Sequence, residues 1–200
     1  MKGGENLFYR RFHWLVAPLV RLIFPLDVQG REHLTDQAVV LCPNHSSALD
    51  PILLACALRY DMPLRIMAKK QLMEIPLVGW FLRKMGAFGV DRGNSDISAI
   101  KTAIQCLREG WKLLIFPEGT RVKEGEAVNA KGGAAMIAIR SGVSMQPVYI
   151  TTKKRAFRKN KIVFGPVYRP VYTGRKGTAE EYQANVEEVM QRVKELGEGQ

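Results

Sequence analysis

Residues 38–58 read AVVLCPNHSSALDPILLACAL, in which an apolar run passes through a polar turn into a second apolar run. The first five residues, Ala38–Cys42, are short, apolar and rich in valine, which predicts a buried strand. Asp50-Pro51 is typical of a helix start, with aspartate as the N-cap and proline at the first helical position. We expect this helix to end near Leu58. A buried strand followed by a tight turn and a helix is typical of α/β proteins.

The same alternation continues along the chain. Further strands are predicted at Leu64–Ala68, Ala87–Val90, Leu113–Phe116, Gln146–Thr151 and Lys161–Phe164. Helices are predicted at Gln71–Met85, from a cap at Asn94 or Ser95 to Gly110, at Lys131–Arg140, and after a capping box of Thr178 and Glu181. This order predicts an α/β fold with a mixed, largely parallel sheet flanked by helices.

Length and composition restrict the class of protein. A chain of 200 residues that is 46% hydrophobic fits one globular domain and excludes disordered, collagen-like and coiled-coil proteins. Thirty Lys and Arg residues against 19 Asp and Glu residues give a net charge of +11. Such a surface attracts nucleic acid, anionic lipid, phosphorylated metabolites or an acidic protein, and composition does not choose among them. Three cysteines without CxxC spacing argue against a disulfide framework or a zinc site and fit a reducing, cytosolic compartment.

The N-terminal segment is predicted to be an amphipathic helix over residues 5–25, which Pro18 kinks or splits. Arginines among its apolar residues favour a helix that lies in the membrane plane, and the alternative is a helix packed on the core. We therefore divide the chain into a membrane-associating segment, residues 1–28, and an α/β domain, residues 29–200. No stretch reaches the roughly 20 apolar residues of a spanning helix, so a peripheral or monotopic association is expected.

The loop after the first predicted strand contains His45 and Asp50, five residues apart. In α/β sheets, ligands bind beyond the carboxyl ends of the strands. An imidazole with a pKa of about 6.5 accepts a hydroxyl proton near neutral pH. A carboxylate on its other nitrogen fixes the tautomer and stabilises the imidazolium. The two residues are therefore a candidate general base and its partner, and the alternative role of Asp50 as a helix cap is compatible with this.

Two further loops at predicted strand ends carry groups suited to an anion. Arg92 follows the third of these strands, and its planar guanidinium can bind an anion. The fourth is followed by Phe116–Arg121 (FPEGTR), a tight turn on which Glu118, Thr120 and Arg121 can hold a polyol or a phosphate. The alternative for each loop is a turn with solvated charges. One base, two arginines and one glutamate suit an anionic substrate that bears a hydroxyl.

These residues resemble the signature of the glycerolipid acyltransferases, a family that includes bacterial 1-acyl-sn-glycerol-3-phosphate acyltransferases. The family blocks N-H-x-x-x-x-D, G-x-x-F-x-x-R, F-P-E-G-T-R-S and V-P-V-x-I correspond here, in order, to Asn44–Asp50, Gly86–Arg92, Phe116–Val122 and Gln146–Ile150. The sequence departs from the blocks at Gly89, Val122 and Gln146, where the family has Phe, Ser and a small apolar residue. The resemblance covers about residues 30–165.

The resemblance implies that His45 takes the proton of an acceptor hydroxyl, which attacks an acyl thioester directly, and that Asp50 orients His45. It implies that the glycerol-phosphate end of the acceptor is held by Arg92, Glu118, Gly119, Thr120 and Arg121. No metal or bound cofactor is implied, and a thioester of acyl carrier protein or coenzyme A is the cosubstrate. The expected reaction acylates the sn-2 hydroxyl of 1-acyl-sn-glycerol-3-phosphate (lysophosphatidic acid) to phosphatidic acid, in phospholipid biosynthesis at the cytoplasmic face of the cell membrane.

Basic residues outside the blocks are candidate contacts for the donor or for an anionic membrane surface. They are Lys69 and Lys70 after the second strand, and Lys153, Lys154 and Arg155 beside the fourth block. Acyl carrier protein is acidic and coenzyme A carries phosphates, so either donor suits a basic surface. Near an anionic membrane each such charge contributes about 1 kcal/mol. The alternative is a solvated loop.

Other functions compatible with the residues are acylation of glycerol-3-phosphate or another lysolipid, and hydrolysis of a thioester by water. A nucleic-acid-binding protein is also compatible with the charge. However, no helix-turn-helix, zinc-finger or RNP signature is present, so no nucleic-acid partner is expected.

Overall fold

The computed structural model describes residues 7–62, 64–91, 96–122 and 129–199. Within these ranges, seven strands form one sheet. The strands are β1 (Leu26–Gln29), β2 (Val39–Pro43), β3 (Leu64–Lys69), β4 (Ala87–Val90), β5 (Lys112–Leu114), β6 (Ser144–Ile150) and β7 (Asn160–Phe164).

The strand order is β1-β7-β6-β2-β5-β3-β4, with β2 at the centre. Among the paired strands of the described residues, β6 and β7 are antiparallel and the other neighbours are parallel. The predicted mixed, largely parallel sheet is therefore confirmed. Because β2, β3, β4, β5 and β6 run in one direction, their carboxyl ends meet at the same edge. The loops after β2, β5 and β6 are neighbours there, although they are far apart in sequence.

Helices cover both faces of the sheet. They are α1 (Leu7–Leu15), α2 (Ala17–Ile23), α3 (Asp50–Ala57), α4 (Lys70–Glu74), α5 (Pro76–Lys84), α6 (Ile97–Arg108), α7 (Gly133–Ser141) and α8 (Ala179–Glu198). Side chains of α1–α5 join one apolar core, and those of α6–α8 join the other. Successive residues of β2 point to opposite cores, Val40 to the second and Leu41 to the first. This two-sided burial explains why β2 is an uninterrupted apolar run.

Several elements differ from the predictions. β1 was not predicted, because Leu26–Gln29 (LDVQ) is short and half polar, and its pairing with β7 forms the sheet edge. The single helix expected over residues 71–85 is two helices, α4 and α5, divided before Pro76, which disfavours helical geometry at the preceding residue.

The predicted N-terminal caps were compared for two helices, α8 and α6. The capping box of Thr178 and Glu181 is confirmed at the start of α8. The predicted caps Asn94 and Ser95 lie outside the described residues. The structure assigns this function to Asp96, whose side chain accepts a hydrogen bond from the Ala99 backbone N–H at 3.0 Å.

The N-terminal segment forms two helices that break at Val16, so the splitting expected near Pro18 is confirmed. Tyr9 and Phe12 are buried in the first core, whereas Trp14 is 80% exposed. The boundary predicted between residues 28 and 29 falls within β1, and the division into two parts stays a prediction. In the described ranges, no helix is both long and apolar enough to cross a membrane.

Candidate active site

The turn between β2 and α3 brings His45 and Asp50 together. Nδ1 of His45 lies 2.9 Å from Oδ2 of Asp50; the His45 side chain is 13% exposed and that of Asp50 is fully buried. A carboxylate only accepts hydrogen bonds, so Nδ1 carries the proton and Nε2 carries the lone pair. The geometry therefore holds His45 in the tautomer that a general base requires.

The backbone of the same turn also holds Asp50. Its Oδ2 accepts hydrogen bonds from the N–H groups of Ser46 and Ser47, at 2.8 and 2.7 Å. Asp50 is the first residue of α3, and Leu49 occupies the N-cap position. The predicted N-cap function of Asp50 is thus wrong by one position, because its carboxylate turns back to the preceding loop.

Lys154, in the loop between β6 and β7, completes this cluster. Its Nζ forms an ion pair with Oδ1 of Asp50 and donates a hydrogen bond to Ser46 Oγ, and its side chain is only 5% exposed. Burial by itself raises the pKa of Asp50, but the hydrogen bonds from His45 and Lys154 outweigh burial and hold this pKa below its usual value. Asp50 is therefore ionised at neutral pH.

The FPEGTR turn after β5 supports His45 on the other side. The Phe116 ring stacks on the imidazole, with the centroids 3.9 Å apart and the planes 25° from parallel. Glu118 Oε2 accepts the His45 backbone N–H at 2.7 Å, and the Val122 N–H donates to the His45 carbonyl at 2.8 Å. Gly119 adopts a positive φ of 68°, which a glycine allows at little cost. Both backbone groups of His45 are thus bonded to this turn.

Glu118 itself has an unusual protonation equilibrium. Burial raises its pKa to about 7, the negative charge of Asp50 adds to this effect, and the hydrogen bond from the His45 backbone opposes it. Glu118 is therefore divided between its protonated and ionised forms near neutral pH.

The structure brings together some of the predicted site residues and leaves others at the periphery. His45, Asp50, Glu118 and Lys154 form one connected cluster, next to Gly119. Exposed side chains around this edge belong to Lys69, Lys70, Thr120, Arg121, Lys153 and Arg155. Arg92 lies outside the described residues.

Three contributions were missed by sequence reasoning. Lys154 was considered only as a donor or lipid contact, and the stacking of Phe116 was not foreseen. Asn44 joins the ends of β2 and β6: its Nδ2 donates to the Ile150 carbonyl at 2.8 Å, and the Ile150 N–H donates to its Oδ1 at 2.7 Å. Asn44 and Phe116 were visible as members of the motif blocks, whereas no local pattern connects Lys154 to Asp50.

A cavity of about 370 Å³ adjoins the Phe116 side of the site. Apolar side chains such as those of Met67 and Ile100 make up most of its wall, which also includes Asp91, Asp96 and Lys131. Within the described ranges, no three histidine, cysteine or carboxylate side chains converge as a metal site requires.

An ordered imidazole–carboxylate pair at the carboxyl edge of an α/β sheet is an arrangement that can act as a general base, and comparison with known proteins gives the family. The acyltransferase family is matched over residues 25–151, so this chain belongs to the acyltransferase family. This confirms the resemblance found in the motif blocks.

Individual members of the family are similar to this chain over most of its length. The 1-acyl-sn-glycerol-3-phosphate acyltransferase of Bacillus subtilis is 35% identical over 179 residues, which are 86% of this chain and 87% of that protein. The enzyme of the same name from Streptococcus pneumoniae is 34% identical over 155 residues, 74% of this chain and 56% of that protein. The chain spans about half the length of several other curated relatives.

A solved structure shows the same fold. The crystal structure of the 1-acyl-sn-glycerophosphate (LPA) acyltransferase PlsC from Thermotoga maritima superposes with a TM-score of 0.70 at 27% identity. The alignment covers 96% of this chain and 79% of that one.

Proposed function

We propose that this protein transfers an acyl group from a thioester to the sn-2 hydroxyl of 1-acyl-sn-glycerol-3-phosphate. The product is phosphatidic acid, which feeds phospholipid biosynthesis. The observation that carries the proposal is the hydrogen bond between His45 Nδ1 and the buried Asp50 carboxylate, because it prepares Nε2 to accept a hydroxyl proton. The names of the relatives support the choice of acceptor.

In the proposed mechanism, His45 Nε2 takes the proton from the acceptor hydroxyl while the hydroxyl oxygen attacks the thioester carbonyl. The new C–O bond gives a tetrahedral intermediate, which collapses with loss of the thiolate. His45 then returns the proton to the sulfur, so the products are an ester and a free thiol. Asp50 stabilises the imidazolium between the two proton transfers. The thioester is the cosubstrate, and the proposed chemistry uses no metal or bound cofactor.

The acceptor is proposed to bind through its glycerol phosphate. Arg121 and Thr120 are exposed on the turn that supports His45, so they are available to a phosphate beside the catalytic pair. We assign Arg92 to the same phosphate on the basis of the motif blocks alone. Glu118 and Gly119 contribute through the turn, since Glu118 Oε2 is bonded to the His45 backbone.

The donor is proposed to be acyl carrier protein or coenzyme A carrying the acyl thioester. Lys69, Lys70, Lys153 and Arg155 are exposed near the catalytic edge, where they can contact acidic side chains or phosphates. Lys154 is not assigned to the donor, because its side chain is buried against Asp50. The apolar part of the cavity beside Phe116, with Met67, Ile100 and Met136, is proposed to take the acyl chain.

The proposed site of action is an anionic membrane surface, at the cytoplasmic face of the cell membrane. Exposed apolar side chains of α1 and α2 support this placement: Trp14 is 80% exposed, Leu19 61% and Leu22 69%. Exposed apolar groups of this size beside arginines are typical of interfacial helices. Phe157, 75% exposed, lies next to them, because its N–H donates to the Ile23 carbonyl.

An acyl-transfer assay tests the proposal. Purified protein is given labelled lysophosphatidic acid in mixed micelles with acyl carrier protein and coenzyme A thioesters in separate reactions, and His45→Ala is the control. Phosphatidic acid formed by the wild type and not by His45→Ala is the expected result. Turnover only with glycerol-3-phosphate or another lysolipid would show that this molecule, and not lysophosphatidic acid, is the acceptor. Free fatty acid released at one rate with or without acceptor would identify a hydrolase instead.

A further inference from the structure

A basic cavity lies between the N-terminal helices and the end of α3. Its volume is about 710 Å³. Five arginines contribute to its wall: Arg10, Arg11, Arg21, Arg31 and Arg59. Among the described lining residues there is no carboxylate, but Asp61 lies beside the cavity and pairs with Arg59, whose Nε is 2.9 Å from Oδ1 of Asp61. The excess of positive charge therefore comes from the other arginines. Like charges gathered around one space repel each other, so an anion bound between them would relieve that repulsion.

Two of these arginines are held in place by the protein. Arg21 Nη2 donates to the Cys56 carbonyl, and Arg31 Nη1 donates to the Ala57 carbonyl at 3.2 Å. Both carbonyls belong to the last turn of α3, whose C-terminal end carries a partial negative charge. The guanidinium groups are therefore oriented before any ligand arrives, and their remaining N–H groups match the oxygens of a phosphate.

Apolar and aromatic side chains lie beside the arginines. Leu7, Trp14 and Tyr60 line the cavity and are 57%, 80% and 58% exposed. Arg10 lies over the Tyr60 ring at 6.0 Å, which places a cation beside this apolar border. A phosphate group alone would leave these apolar groups in water, whereas a phospholipid would cover them with its hydrocarbon chains.

The cavity is separate from the catalytic edge. α3 begins at Asp50 in the active site and ends at Ala57 beside the cavity, and eight helical residues span about 12 Å. A phosphate bound in this cavity therefore lies at the opposite end of α3 from Asp50 and His45.

We propose that the cavity binds the phosphate headgroup of an anionic glycerophospholipid of the bilayer, with the lipid chains against Leu7 and Trp14. This inference rests on the membrane association proposed above and adds a discrete lipid site to it. Such a site holds α1 and α2 on the membrane in one orientation, because Arg21 and Arg31 are held in place and fix where the headgroup lies.

The test uses a soluble lipid, vesicles and inorganic phosphate. Dihexanoylphosphatidylglycerol below its critical micelle concentration is titrated into the full chain by calorimetry, and binding to phosphatidylcholine vesicles with and without phosphatidylglycerol is measured by sedimentation. Saturable one-to-one binding of the short-chain lipid is expected. The variant Arg10→Gln/Arg11→Gln should weaken it roughly thirtyfold, since two basic contacts to an anionic headgroup are lost.

Two further variants make the result specific. Arg108→Gln/Arg140→Gln removes the same charge from exposed positions of α6 and α7, on the opposite face of the sheet, and should bind the short-chain lipid as the wild type does. Trp14→Ala keeps every arginine and should weaken lipid binding without changing any binding of inorganic phosphate. Thermal melting shows that each variant is folded.

Each contrary outcome has a distinct meaning. No saturable binding of the soluble lipid, with vesicle binding reduced equally by both double variants, would overturn the site in favour of diffuse electrostatic attraction. If inorganic phosphate binds as tightly as the lipid, the cavity is a site for free phosphate and the lipid proposal is wrong. Acyl transfer by the wild type to lysophosphatidic acid in micelles is scored separately, so loss of the lipid site and failure of the proposed function are distinguishable.

Discussion

The two oxygens of the buried Asp50 carboxylate have different partners. Oδ1 forms an ion pair with Nζ of Lys154, and Oδ2 accepts a hydrogen bond from Nδ1 of His45. The loop between β6 and β7 thereby contributes to the site formed by the turn after β2. This arrangement keeps Asp50 ionised although it is fully buried. The carboxylate can then orient His45 over a wide pH range.

Replacing Lys154 with methionine should lower kcat and move the acid side of the pH–rate profile to higher pH. The pKa of Asp50 is now held low; without Lys154, burial raises it, so Asp50 becomes protonated at a higher pH and activity is lost sooner as pH falls. Removing one partner of a buried ion pair should also cost about 3–5 kcal/mol of stability. Chemical denaturation and the pH dependence of kcat measure both effects.

Two control variants separate this positioning function from a surface contact. Lys153→Met removes an exposed charge one residue away and should keep the wild-type pH profile. Lys154→Arg should recover part of kcat, because it restores a cation beside Oδ1. A Lys154→Met enzyme with a normal pH profile and a raised KM for the thioester would contradict the positioning function and return Lys154 to the donor site.

His45→Ala should reduce kcat by roughly 10²–10⁴-fold, the usual contribution of a general base. His45 is not a member of either apolar core, so the loss of its ring removes the stacking on Phe116 and leaves the other core residues packed. Single-turnover rates with the thioester and lysophosphatidic acid measure the effect. Wild-type turnover by a folded His45→Ala protein would show that another group accepts the proton.

Glu118→Gln should stabilise the protein at alkaline pH. The pKa of Glu118 is raised to about 7 in the folded state, so its favourable contribution is complete below its unfolded pKa and is lost as pH rises through 7. A glutamine keeps an acceptor for the His45 N–H without the buried charge. The expected gain at pH 8 is about 1–2 kcal/mol after allowance for solvent screening, with little gain at pH 4. Melting curves of the wild type and the variant at the two pH values measure this gain. An equal gain in Tm at pH 4 and pH 8 would show that the titration of Glu118 is not its cause.

The double substitution Leu19→Ser/Leu22→Ser should weaken sedimentation with anionic vesicles and leave stability nearly unchanged. Both side chains are largely exposed on α2, so their apolar area is available to a bilayer and contributes little to the core. Val171→Ser, at a 74% exposed position in the segment before α8, is the matched control. Unchanged vesicle binding by the double variant would mean that α2 does not contact the membrane.

Deleting residues 1–25 is a poorer experiment for the same question. Tyr9 and Phe12 are almost fully buried in the first core, so the deletion removes core packing together with any membrane contact. Point substitutions on the outward side of α2 separate the two functions. The sequence offered membrane contact and core packing as alternatives, and the structure shows that the helices pack on the core while they expose apolar groups.

Much of the architecture could be predicted because it depends on neighbours along the chain. Strands appeared as short apolar runs, and helix ends as a capping box at Thr178 and Glu181. His45 and Asp50 lie in one turn, so their spacing made them a candidate pair, and the structure shows the contact. The four motif blocks identified the family for the same reason, since each block is continuous in sequence.

What could not be predicted depends on strand order. Asn44 reaches Ile150, and Lys154 reaches Asp50, because β6 lies beside β2 in the sheet. β1 is a strand only because β7 provides a partner for its few half-polar residues. Local spacing carries no information about which strands become neighbours, since that choice is made by the packing of the two apolar cores. For this reason one short segment contains both His45 and Asp50, whereas Lys154, the cation that keeps Asp50 ionised, reaches it only in the folded sheet.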